Sequence, residues 1–185
     1  TISALSAGIY ADTVSNTNTF DHNTITESDY GIYLYNSKNA IIYYNNIANN
    51  SRGIRIYGPS GAVNANHSVR NNKLVNNGRA IEQTYSRGNT FMGNWLQKNT
   101  WGLYLSSSTA NTYYRNNFRN NSKQVYTDAV NNIWDKNNEG NHWSDHTEPD
   151  NDGNGIVDTP YIIATIGPTT DKDNYPLKYT WSEHD

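Results

Sequence analysis

The segment "DNDGNGIVDTPY", running from Asp150 to Tyr161, spaces its oxygen donors as a calcium loop does. Asp150, Asp152 and Asn154 alternate, Gly155 follows, Ile156 can offer its carbonyl, and Asp158 comes two residues later. Alternate oxygens converge on one hard cation, and the glycine permits the sharp turn between them. Tyr161 stands where such loops usually place a bidentate Glu, so the shell needs further ligands. Asp171 or Asp173 in "TDKDNYPL", or water, are the candidates, and the expected ion is a structural Ca2+. The competing reading is an Asx-rich polar turn.

A second group of residues suits sugar chemistry. Glu82, Arg55 and Tyr57 are the candidate catalytic residues. Tyr33, Tyr35, Arg52, Arg79, Trp101 and Tyr104 are the candidate substrate-binding residues, because sugar rings stack on aromatics and offer hydroxyls or carboxylates to arginine. Glycoside hydrolysis usually needs two carboxylates about 5–10 Å apart, and Glu82 has no acidic neighbour in its own column. A lyase needs instead a base and charge neutralisation at a substrate carboxylate. A surface ion pair between Arg55 and Glu82, contributing little, is the bland alternative.

These residues meet only if the chain repeats, and it does. The apolar column Ile9, Ile32, Ile54, Ile81, Leu103 and Val125 recurs about every 22 residues. Ile25, Ile47, Leu74, Leu96 and Phe118 form a second column in constant phase with the first, and Phe20, Ile42, Val69, Phe91 and Tyr113 a third. Asn23, Asn45, Asn72, Asn94 and Asn116 recur between columns, as do Asn50, Asn77, Asn99 and Asn121, and stacked amides can hydrogen-bond along a ladder. Short alternating segments with Asn, Gly and Ser corners describe an all-β parallel β-helix of five to six coils, each stacked about 4.8 Å on the last, and the expected fold is the right-handed parallel β-helix. The coils occupy residues 1–130, and residues 131–185 form an irregular C-terminal cap that holds the calcium loop. One longer step implies an extra loop around residues 58–65. By strand alternation Tyr10, Tyr33, Arg55, Glu82, Tyr104 and Tyr126 face outward in one stripe, and Gln83 faces inward as a satisfied core amide.

The chain has 185 residues, a net charge of -3 and no cysteine. That balance excludes disulfide and thiolate chemistry and gives no footprint for nucleic acid. No apolar run is long enough to span a bilayer. The first coil starts uncapped, which points to further N-terminal domains of the same chain.

The C-terminal block, "GNHWSD" followed by "DNDGNGIVDTPY" and "DNYPL", resembles the β-helix proteins of the periplasmic copper-binding maturation family and their archaeal cell-surface relatives, including the disaggregatases. That family usually carries Tyr where this chain has His142 and His146. The resemblance implies an extracellular, cell-surface or periplasmic protein in contact with polysaccharide. One Met, no Cys and scattered His disfavour the copper branch. His22, His67 and His184 are expected at the surface. Two readings follow: a module that cleaves matrix polysaccharide as a hydrolase or lyase, and a non-catalytic carbohydrate-binding or structural β-helix.

Overall fold

The computed structural model describes residues 6–59, 64–166 and 170–183. Three parallel sheets wind around one apolar column. The first stacks six strands, Ala7–Asp12, Tyr30–Tyr35, Arg52–Tyr57, Arg79–Thr84, Trp101–Ser106 and Lys123–Thr127. The second has five short strands, from Thr19–Asp21 to Thr112–Tyr114, and the third has six, from Thr24–Thr26 to His142–Trp143.

The register pairs like with like. Ile32 lies against Ile54, Val69 against Phe91, and Leu74 against Leu96, so each apolar column is a continuous buried stack. The three-residue strands are separated by single residues in the left-handed region. His22, Tyr44, Asn71, Gly93 and Arg115 turn the chain between the second and third sheets, and Glu27, Asn49, Asn76, Lys98 and Asn120 turn it after the third. The extra loop expected around 58–65 lies partly outside the described residues, and His184 lies wholly outside them.

Asparagine ladders run inside two of the corners, as the repeat predicts. Asn23 donates its Nδ2 to Asn45 Oδ1, and the chain of amides continues through Asn72, Asn94 and Asn116 to Asn141, with steps of 2.9–3.0 Å. A second ladder runs from Asn50 through Asn77 and Asn99 to Asn121. Along each ladder an Oδ1 accepts from the coil below and an Nδ2 donates to the coil above, so the amide-to-amide bonds all run towards the C-terminal end, while the same Nδ2 groups also donate to backbone carbonyls of the coil below. A third ladder, Asn89 to Asn111 to Asn132, was not expected. His67 occupies its lower rung, buried rather than at the surface, where its Nδ1 accepts the Ala40 N–H at 3.1 Å. Gln83 is buried as expected, and its amide donates to Tyr113 Oη.

The upper ends of two ladders meet carboxylates. Asp173, fully buried, accepts from the backbone N and Nδ2 of Asn141, from Trp143 Nε1 and from the Tyr175 N–H. Asp171 accepts from the Asn131 and Asn132 N–H groups and from Trp134 Nε1. These contacts correct the assignment of Asp171 and Asp173 as extra calcium ligands. Both are committed to terminating the solenoid, because a carboxylate has only acceptors to offer a column that ends in donors. Gly140 is glycine for the same reason, since a Cβ there would sit 1.8 Å from Asp173 Oδ1.

Aromatic stacking closes the end of the core. Trp143 is sandwiched between Phe118 at 4.2 Å and Tyr161 at 4.1 Å, and Trp134 stacks on Tyr113 at 4.6 Å. The cap therefore has an apolar seat of its own. Beyond it, the chain returns down the outside of the coils. The Asn117 side chain clasps the Trp181 backbone at 2.8 and 3.0 Å, and Tyr44 Oη donates to the Glu183 carboxylate three coils lower.

Candidate functional site

The first sheet lays the predicted sugar residues side by side. Its register places Tyr33, Arg55, Glu82 and Tyr104 in one outward column, with Tyr30, Arg52, Arg79 and Trp101 in the neighbouring one. Tyr35 and Tyr57 pair in a third column and stack with ring centroids 5.7 Å apart. Strands lie about 4.8 Å apart, so long side chains from adjacent coils reach one another.

Glu82 is the centre of this face. It points outward yet is only 4% exposed, because three arginines, Arg55 of its own column and Arg52 and Arg79 of the neighbouring one, fold over it. Its Oε2 accepts from Arg52 Nε at 2.5 Å and Arg79 Nη1 at 2.9 Å, and Arg55 Nε lies 3.6 Å from Oε1. This buried carboxylate with three cations replaces the exposed ion pair expected from the sequence. The arginines are in turn held by rings. Arg55 donates to Tyr30 Oη at 2.8 Å and lies 4.9–5.3 Å from the centroids of Tyr30, Tyr33 and Tyr57. Arg79 sits 3.7 Å over Tyr104, which stacks on Tyr126. Trp101 meets Tyr104 edge-on.

Three guanidiniums against one carboxylate leave a local charge of +2 in a chain whose net charge is -3. Arg52 and Arg79 keep about 30% of their side chains exposed and border a shallow groove of about 300 Å3 with Trp101. Of the candidate catalytic residues, Glu82 directs both oxygens at guanidiniums. Among the described residues no second carboxylate is paired with or hydrogen-bonded to it. The arrangement can hold an anion.

The calcium loop is a separate cluster. Ligand oxygens of Asp150, Asp152 and Asp158 lie within 4.8 Å of one another. Gly153 and Gly155 take left-handed φ values of 72° and 86° with open space around them, as the tight turn requires. The Asp150 carboxylate accepts the Asn154 and Gly155 N–H groups. Desolvation raises its pKa, but the Gly155, Gly153 and Asn154 N–H groups and the neighbouring Asp152 side chain together outweigh it and hold the group below the ordinary carboxylate range. Asn154 Oδ1 accepts the Ile156 N–H, and Asp158 accepts from the Asn151 backbone. The three carboxylates suit a hard cation; the loop's own amides already satisfy part of their capacity. His142 and His146 instead meet the backbone carbonyls of Leu177 and Thr159.

The sequence gives the columns but not the handedness of the coil, and here a comparison decides. Residues 7–159 match the family described as right handed beta helix region. The chain belongs to that family. No curated protein and no solved structure matches it. As a right-handed β-helix, it presents the arginine–tyrosine face on its long-stranded sheet, with successive coils repeating the face along the axis. No helix among the described residues is long and apolar enough to cross a membrane.

Proposed function

We propose that this β-helix is an extracellular or cell-surface module that grips an acidic polysaccharide on its arginine–tyrosine face, without cleaving it. The observation that carries the reading is the buried Glu82 beneath Arg52, Arg55 and Arg79. A carboxylate so enclosed orients the guanidiniums and leaves them in charge excess, which suits uronate or sulfate groups. The coil spacing of about 4.8 Å is close to the length of one sugar residue, so a linear chain lying along the axis meets Arg52, Arg79 and Trp101 in turn.

Affinity electrophoresis through gels containing a polyuronate or a sulfated glycan tests this directly. Retardation is expected, weaker at high salt, and reduced about tenfold in Arg52→Gln. Absence of retardation on every acidic polymer would end the binding reading. Release of reducing ends or of unsaturated uronate, lost in Glu82→Gln, would restore the cleaving one.

The loop from Asp150 to Asp158 belongs to the same proposal as a structural Ca2+ site, with water completing the shell. Saturating Ca2+ at about one hundred times Kd adds about 2.7 kcal/mol to stability, so the thermal midpoint is expected to rise by about 7 °C over that in chelator. Equal midpoints in Ca2+ and in chelator would leave the loop a polar turn.

A further inference from the structure

We propose a second carbohydrate site, selective for a neutral pyranose unit, in the groove between Trp95 and the returning C-terminal segment. The groove encloses about 470 Å3, larger than the one beside Arg52 and Arg79 and within the range of small-ligand sites. It lies on the third sheet, whereas the arginine face lies on the first.

Both tryptophans are held rigidly in its walls. Trp95 projects from strand Trp95–Gln97, donates its Nε1 to Gln97 Oε1 at 2.8 Å, and carries the Arg119 guanidinium over its ring at 5.0 Å. Trp181 is fixed by the Asn117 clasp and packs onto Gly93. Gly93 takes a left-handed φ of 65°, and a Cβ there would lie 2.5 Å from the indole, so the corner is shaped to seat that ring. Preorganised indoles offer flat apolar surface at little entropic cost, which suits the C–H faces of a sugar.

The polar lining selects the ligand further. Lys73, next to Trp95 in the register, contributes a cation, and Glu183 contributes an anion. These two lining charges offset one another, and only the Arg119 guanidinium on Trp95 adds a cation nearby, so the groove is less cationic than the arginine face and suits a ligand rich in hydroxyls. Asn71 is the independent mark of a missing partner. Its Nδ2 and Oδ1 are both shielded from solvent at the groove wall, and neither finds a hydrogen bond among the described residues. An unpaired buried amide is costly, and a hydroxyl, which donates and accepts, satisfies it once the side chains that shield it move aside.

Titration of the intact protein with neutral gluco-, manno-, galacto- and N-acetylglucosamine oligosaccharides, followed by indole fluorescence and calorimetry, tests the site. A saturable response to at least one series is expected. Trp95→Ala and Trp181→Ala are each expected to weaken it about tenfold, and Arg52→Gln to leave it unchanged. Trp95→Phe and Gln97→Ala, each expected to weaken it about threefold, serve if an alanine variant fails to fold. No response to any series overturns the proposal, as does a response that persists at full strength in the Trp95 and Trp181 variants. Because the acidic polymer is read with Arg52→Gln, either site can fail alone.

Discussion

Asp173→Ala is expected to destabilise the fold by about 4 kcal/mol. The carboxylate is fully buried and accepts four N–H bonds, from Trp143 Nε1, Tyr175 N and both nitrogens of Asn141. Each buried donor left unpaired costs about 1–3 kcal/mol, and partial relaxation keeps the total below their sum. Asp173→Asn keeps one acceptor oxygen but turns an amine towards the Tyr175 N–H, so about half that loss is expected. Urea unfolding measures both, and a loss below about 1 kcal/mol in Asp173→Ala would show that the ladder needs no terminator.

The same residue gives stability a pH dependence that the wild type conceals. Burial pushes the Asp173 carboxyl up to about 6, against the N–H donors that pull it down. A folded pKa above the unfolded value of about 3.9 means a contribution present in full below pH 4 and lost as pH rises through 6, about 3 kcal/mol in all. His67 acts in the opposite sense. Burial drops its imidazole to about 4, and its Nδ1 must stay unprotonated to accept the Ala40 N–H. Its contribution is present above pH 6.5 and lost as pH falls towards 4, again about 3 kcal/mol. The two slopes nearly cancel between pH 4 and 6.5. His67→Asn, which keeps a ladder acceptor, should make the protein more stable at pH 4.5 than at pH 7, and Asp173→Asn should do the reverse. Parallel profiles in the two variants would refute the assignment.

Glu82→Gln carries the second large effect, a loss of about 2–3 kcal/mol. Breaking a buried ion pair by removing one partner costs about 3–5 kcal/mol, because the remaining charges lose their compensation. Water still reaches Arg52, Arg55 and Arg79, whose side chains are 18–30% exposed, and its screening reduces the figure. The substitution raises the local charge from +2 to +3, so acidic-polysaccharide binding should survive with a steeper salt dependence. A thermal midpoint equal to that of the wild type would mean that Glu82 does not order the arginines.

The coil register was legible because it is written in identical residues at constant spacing. Ile32, Ile54 and Ile81 need only a period to be placed in one stack, and Asn45, Asn72 and Asn94 likewise. The third ladder escaped because His67 breaks the identity of its lower rung, although Asn89, Asn111 and Asn132 repeat at nearly the same interval as the others. Strand alternation correctly turned Glu82 outward but could not show that it is covered, since burial there depends on how far the arginines of neighbouring coils reach. Asp171 and Asp173 were read with the acidic loop nearest in sequence. Their partners, Asn132, Trp134, Asn141 and Trp143, lie some thirty to forty residues earlier, and no local pattern announces them. The Trp95 groove was hidden for the same reason, because Trp181 reaches it only through the fold.

The asparagine ladders also give the solenoid a sense of direction, like a polymer with distinguishable head and tail. Every joint between coils presents the same donor below and the same acceptor above, so a 22-residue unit can be spliced in or out between Asn45 and Asn116 without either end registering the change. The tail is different: it must consume donors without passing any on, which Asp171 and Asp173 do for two ladders and Gln124 Oε1 does for Asn121. Length in this architecture is therefore freely adjustable, whereas the stop signals are non-repeating pieces of sequence.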